Sequence, residues 1–192
     1  MTKNLVQTLL KNDLAIIPTD TLYGLVGRAL SKKAVEKIYK LKGRKPTKPL
    51  IILISSIKDL ELFGIQHSHI LENVRMLKLL KKVWPGAVSV ILPCHLKKFE
   101  YLHRGTYSLA FRMPDDKKLL ALIRKTGPLV APSANPEGLS PAKNIVEAKK
   151  YFGENVSVYI DGGRKIGKAS TLVSLTGDTP IILRQGKAII KI

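Results

Sequence analysis

Apolar positions recur along this chain with two periods, and their alternation predicts an α/β fold. Leu5, Val6, Leu9 and Leu10 recur at helical spacing and predict a helix over residues 3–11. Leu14–Ile17 follows as an unbroken apolar run, the pattern of a strand covered on both faces. A second helix is predicted over Ser31–Leu41. Ser31 can accept from its free N–H groups, Ala34, Val35, Ile38 and Leu41 share one face, and Gly43 stops it. Leu50–Ile54 is again apolar and β-branched enough for a doubly covered strand. Residues 68–83 carry Ile70, Leu71, Val74, Leu77 and Leu80 at helical spacing and end at Trp84-Pro85-Gly86. Ala87–Leu92 and Tyr107–Arg112 read as strands, the latter with Ser108, Ala110 and Arg112 on one face. Asp115 or Asp116 can cap a helix reaching Arg124. Leu129–Ala131 reads as a strand and Ala142–Phe152 as a helix. Val156–Ile160, Ser170–Leu175, Ile181–Arg184 and Ala188–Ile192 make a strand-rich end. Leu96–Gly105 shows no period and is expected to be a mobile loop. No Pro/Gly linker divides the chain, so one domain is expected over residues 1–192: a single α/β unit with a twisted, mainly parallel or mixed sheet and flanking helices.

Candidate chemistry collects where strands end, the usual place for ligands in α/β proteins. Pro18-Thr-Asp-Thr-Leu-Tyr-Gly24 follows the first strand. It is either a site or an Asp-containing turn before a helix capped by Thr19 or Thr21. Lys42-Gly-Arg-Lys-Pro-Thr-Lys-Pro49 holds four cations and no acid between a helix and a strand. Its two prolines restrict the backbone, so the cations sit in few arrangements; the plain alternative is a solvated basic turn. Pro132-Ser-Ala-Asn-Pro-Glu-Gly-Leu-Ser-Pro141 is rich in hydroxyl and amide groups, and also reads as a simple turn.

Charge narrows the ligands without selecting one. Lys and Arg number 33 against 14 Asp and Glu, a formal net charge of +19, which attracts nucleotide phosphates, nucleic acid or anionic lipid. Lysines such as Lys32, Lys33, Lys37 and Lys40 scatter over one helix, so general lysine richness explains part of the excess. Neither an aromatic-interleaved RNA-binding motif nor a repeat is present. No apolar run approaches a bilayer's thickness, and the first residues lead into an amphipathic pattern rather than a signal peptide. With a single cysteine, Cys94, read as inert packing, this points to a reducing cytoplasm and no membrane. His95 and His103 lack partners at ligand spacing, so no protein metal site is expected.

Taken in order, Pro18–Gly24, Lys42-Gly-Arg44, Trp84-Pro-Gly86, Phe111-Arg112, Pro132-Ser-Ala-Asn135, Asp161-Gly-Gly163, Ser170-Thr171 and Ile182-Leu-Arg184 resemble the YrdC/Sua5/TsaC family, in its short bacterial form. The resemblance implies a twisted α/β sheet with a large positive cavity. The implied activity is threonylcarbamoyl-AMP synthesis from L-threonine, bicarbonate and ATP, releasing pyrophosphate. The product would supply the N6-threonylcarbamoyl group of adenosine 37 in tRNA. By resemblance Lys42, Arg44, Ser133 and Asn135 form the reaction centre. Arg44, Lys48, Ser108, Ser133, Ser140 and Arg184 face ATP, and Thr21, Arg112, Ala131 and Ser170 face threonine. Magnesium would ride on the ATP phosphates, and tRNA would be met directly or through the downstream transferase proteins. The chain departs from the family pattern at three places. Leu53 stands where many members carry His. Glu137 replaces the serine of Ser-Ala-Asn-x-Ser-Gly, displacing the next serine to Ser140. Ala169 stands where Glu often precedes Ser-Thr. A noncatalytic binder of double-stranded RNA or tRNA is the alternative reading. A carbamoyl-phosphate-using relative from hydrogenase maturation is disfavoured because that relative has additional domains.

Overall fold

The structure, a computed structural model, describes residues 3–65, 74–177 and 179–190. Its strands are β1 (Ala15–Pro18), β2 (Tyr23–Arg28), β3 (Ile51–Leu53), β4 (Val88–Pro93), β5 (Ser108–Arg112), β6 (Leu129–Val130), β7 (Val158–Tyr159), β8 (Thr171–Ser174) and β9 (Ile181–Arg184). The helices are α1 (Lys3–Leu10), α2 (Lys32–Lys42), α3 (Val74–Val83), α4 (Glu100–His103), α5 (Lys117–Thr126) and α6 (Ile145–Phe152).

The strands form one sheet in the order β7-β1-β2-β6-β3-β5-β4-β8-β9. It is mixed: β1–β7, β3–β5 and β4–β8 pair parallel, and the other neighbours pair antiparallel. Successive residues of a strand point to opposite faces, so a strand covered twice must be apolar throughout. Leu14 and Ile16 accordingly join the larger apolar layer, with α2 residues Ala34, Val35 and Ile38, Phe63, Trp84 and Phe152. Ala15 and Ile17 join the opposite layer, beneath α1 and α5, with Leu5, Leu9, Leu119 and Ile123.

Local signals fix several elements where the sequence places them. Ser31 Oγ accepts from Ala34 N at 3.3 Å, and Gly43, left-handed at φ 58°, closes α2. Asp116 is the cap of α5, accepting from Leu119 N at 3.0 Å. α6 starts after Asn144, later than its apolar pattern suggests, because Asn144 Oδ1 caps Glu147 N at 2.9 Å.

Three expectations are corrected. No helix follows Thr19 or Thr21: Thr19 N bonds Leu22 O at 3.1 Å, closing a hairpin that returns the chain along β1 as β2. Leu96–Gly105 is not an unstructured loop but a helical turn followed by α4, fixed by buried Phe99, Leu102 and His103. Residues 188–190 form no strand, and residues 191–192 lie outside the described residues. So do residues 68–73 of the 68–83 helix, whose described part is α3. Among the described residues no helix is long and apolar enough to cross a membrane.

Candidate active site

The hairpin turn is stiff because Thr19 serves several partners. Its Oγ1 donates to Leu22 O at 2.7 Å, accepts from Thr21 N at 3.2 Å and lies 3.1 Å from Thr21 Oγ1. Beyond the turn, Gly24 bridges to Ser133, and Leu25 N and Ala134 N bond Pro132 O and Tyr23 O at 2.9 and 2.8 Å. The Thr21 and Ser133 loops are thereby stitched side by side. Tyr23 hydroxyl donates to Gly163 O and accepts from Gly162 N, both at 2.8 Å, so the Asp161-Gly-Gly163 turn anchors the same wall.

Lys42 continues the buried stripe of α2 and is only 3% exposed. Its ammonium donates to Ser133 O at 2.6 Å and to Asn135 O, two carbonyls of the neighbouring loop. Desolvation and the nearby Arg44 guanidinium push its pKa down to about 8, against partial support from Glu137. Ser133 Oγ donates to Asn135 Oδ1 at 2.6 Å, and Asn135 Nδ2 donates to Pro136 O and Leu139 O at 2.9 and 2.7 Å. Lys42 and Asn135 therefore brace the loop that presents Ser133. Arg44 Nε and Nη2 donate to Lys48 O and Pro49 O at 2.9 and 3.1 Å, which folds the basic loop around the guanidinium.

Arg112 reaches the site from the end of β5, and its Nη1 donates to Asp20 Oδ1 in an ion pair whose side chains are 4% and 8% exposed. Asp20 Oδ2 and Arg112 Nε are buried with no protein partner among the described residues. Ser170 Oγ lies 2.8 Å from Ser89 Oγ, and Arg184 Nη2 donates to Ser170 O at 2.9 Å.

These groups surround a cavity of about 140 Å³. All four residues of the threonine set, Thr21, Arg112, Ala131 and Ser170, line it. Arg44, Ser133 and Arg184 of the nucleotide set line it too, with Ala169, one of the departures from the family pattern. The remaining sequence candidates stand off the cavity. Lys42 and Asn135 lie behind its wall, and Lys48 is paired with Glu137 outside it. Ser108 hydroxyl lies 3.3 Å from Thr106 Oγ1, at the start of β5, and Ser140 is exposed, its carbonyl accepting from Tyr151 hydroxyl at 3.1 Å. Leu53 is fully buried in the layer under α1 and α5 and brings no polar atom. Sequence reasoning missed Asp20 as the Arg112 counter-ion and Glu137 as the partner of Lys48. Opposite charge alone, across 92 and 89 positions, gives no way to match such pairs. Among the described residues no three His, Cys, Asp or Glu side chains group as metal ligands.

Residues 7–186 match the Sua5/YciO/YrdC family model, which carries the description "Telomere recombination". This chain belongs to that family. It is 39% identical over 180 residues to the threonylcarbamoyl-AMP synthase of Bacillus subtilis, covering 92% of this chain and 50% of that protein. It is 38% identical over 176 residues to the enzyme of that name from Pyrococcus abyssi, covering 90% and 50%. The crystal structure of P. abyssi Sua5 complexed with L-threonine superposes with a TM-score of 0.85 at 33% identity, over 95% of this chain and 53% of that one. The chain thus spans about half the length of these relatives.

Proposed function

We propose that this protein makes L-threonylcarbamoyladenylate from L-threonine, bicarbonate and ATP. The observation that carries the proposal is the single cavity in which Thr21, Arg112, Ala131 and Ser170 meet Arg44, Ser133 and Arg184. The names of the relatives and the threonine complex of P. abyssi Sua5 support the same reading.

The chemistry joins anions. Threonine's amine takes up bicarbonate with loss of water, giving a carbamate; a carbamate oxygen attacks the α-phosphorus of ATP, and pyrophosphate leaves. Carbamate and triphosphate repel, so catalysis here consists chiefly of preorganised positive charge and alignment. Arg44 and Arg184 hold phosphate oxygens, Arg44 with the planar fork that suits them. Ser133 Oγ orients the reacting oxygens, and Lys42 acts through it by fixing the Ser133–Asn135 loop. Arg112, locked by Asp20, and the hydroxyls of Thr21 and Ser170 receive the amino acid. A pocket that hydrogen-bonds threonine's hydroxyl rejects valine, which leaves those groups unpaired. Magnesium enters with the ATP phosphates as part of the substrate. The product serves threonylcarbamoylation of tRNA in the cytoplasm, through direct contact or the downstream transferase.

Incubation with labelled bicarbonate, L-threonine and ATP tests this. The expected product is an acid-labile adenylate carrying the bicarbonate carbon. A folded protein that forms none while binding RNA in a steeply salt-dependent way belongs to the noncatalytic binders instead.

A further inference from the structure

The function just proposed leaves Glu137 without a role. It stands in the loop after Asn135 where the family pattern has a hydroxyl, facing a cluster of cations. Its Oε1 accepts from Lys48 Nζ and its Oε2 from Lys45 N at 2.7 Å, so one carboxylate takes an ammonium and a backbone N–H from the same loop. Glu137's own N–H donates to Lys42 O at 2.6 Å, which fixes its backbone against the end of α2. Arg44, in the cavity wall, donates to the carbonyl of that same Lys48 at 2.9 Å. A carboxylate and a phosphate are both acceptor-only anions that a Lys ammonium and an N–H satisfy alike.

We propose that the Glu137 carboxylate stands in for a ligand phosphate, occupying Lys48 and the Lys45 N–H until a polyphosphate displaces it. The inference rests on the reading that phosphates bind at Arg44, and extends it to Lys48, whose carbonyl Arg44 holds just outside the cavity. Lys48 is half exposed, so its pair with Glu137 is screened and weak enough to exchange for a ligand of higher charge. The exchange makes Lys48 available to phosphate only when one arrives, and keeps the basic loop docked on the Ser133 loop in its absence.

The test is titration of ATP and of inorganic tripolyphosphate into wild type, Glu137→Gln and Glu154→Gln. Glu154 is an exposed acid in the turn after α6 and controls for net charge. Glu137→Gln is expected to bind both ligands about two- to fivefold more tightly than wild type, the worth of an exposed ion pair, while Glu154→Gln binds as wild type does. Equal or weaker binding by Glu137→Gln overturns the inference, since Glu137 then orders the cations instead of replacing the ligand. Equal tightening in Glu154→Gln overturns it as well. Failure of the proposed function looks different: tripolyphosphate binding tightens in Glu137→Gln, yet wild type releases no pyrophosphate in response to threonine.

Discussion

Lys42 carries a cation to a place that water does not reach, and that burial has a pH signature. Its folded pKa is about 8 against an ordinary 10.5, lowered first by desolvation and then by Arg44. Between those values the unfolded chain binds a proton that the folded protein has released, so stability rises with pH across that window. One proton over a shift of this size is worth on the order of 3 kcal/mol in total, and about 2 kcal/mol of it falls between pH 7.5 and pH 9.5. Lys42→Met keeps the aliphatic stem and removes the titrating group. Urea unfolding of both proteins at the two pH values isolates the effect, because all other titrations cancel in the difference. Wild type is expected to gain about 2 kcal/mol on Lys42→Met as pH rises from 7.5 to 9.5. A difference that stays constant would mean that Lys42 titrates normally, and the account of a desolvated ammonium beneath the Ser133 loop would fall.

Three further substitutions probe the rest of the site. Arg44→Ala is expected to lower threonine-dependent pyrophosphate release by about a hundredfold or more, because positioned donors act mainly on the transition state. Its melting curve should stay near that of wild type, since the bonds lost are to carbonyls of its own loop; near-normal turnover would remove Arg44 from the reaction centre. Asp20→Ala leaves the Arg112 guanidinium buried and unpaired, at a cost of about 3–5 kcal/mol in urea unfolding; a loss below about 1 kcal/mol would show that the pair is not a buried one. Gly186→Ala would place a methyl carbon 2.6 Å from Ser170 O, so the backbone behind the proposed threonine pocket must shift. A cost of about 1–3 kcal/mol is expected, with a raised KM for threonine; an unchanged KM would separate Gly186 from the pocket.

Much of this architecture is written locally. Ser31 and Gly43 bound α2, Asp116 starts α5, and the apolar runs at Leu14–Ile17 and Leu50–Ile54 become strands covered on both sides. β2 was not legible, because Gly24 and Gly27 dilute its apolar pattern. Gly27 nonetheless suits the place where α2 crosses the sheet: a Cβ there would sit 2.8 Å from Leu14 Cδ2 and 3.3 Å from Ala34 Cβ, so those side chains would have to shift. α4 escaped for the opposite reason: a four-residue helix is too short to show a period, and tertiary burial of Leu102 and His103 forms it. Within the site, the loops that meet at the cavity were legible as motifs in order. The burial of Lys42 had a signal, since it continues the Ala34, Ile38 stripe four residues on. The Asp20–Arg112 and Lys48–Glu137 pairs had none, because a sheet order of β6-β3-β5 cannot be read from charges along a chain.

Pyrophosphate release from ATP by the purified protein is the most direct measurement of the central claim, with L-threonine and bicarbonate supplied together, each omitted in turn, and L-valine or L-serine in place of threonine. The account predicts release that requires both threonine and bicarbonate and falls steeply with valine. Release that ignores threonine, or none from folded protein that binds RNA tightly in low salt, would contradict it.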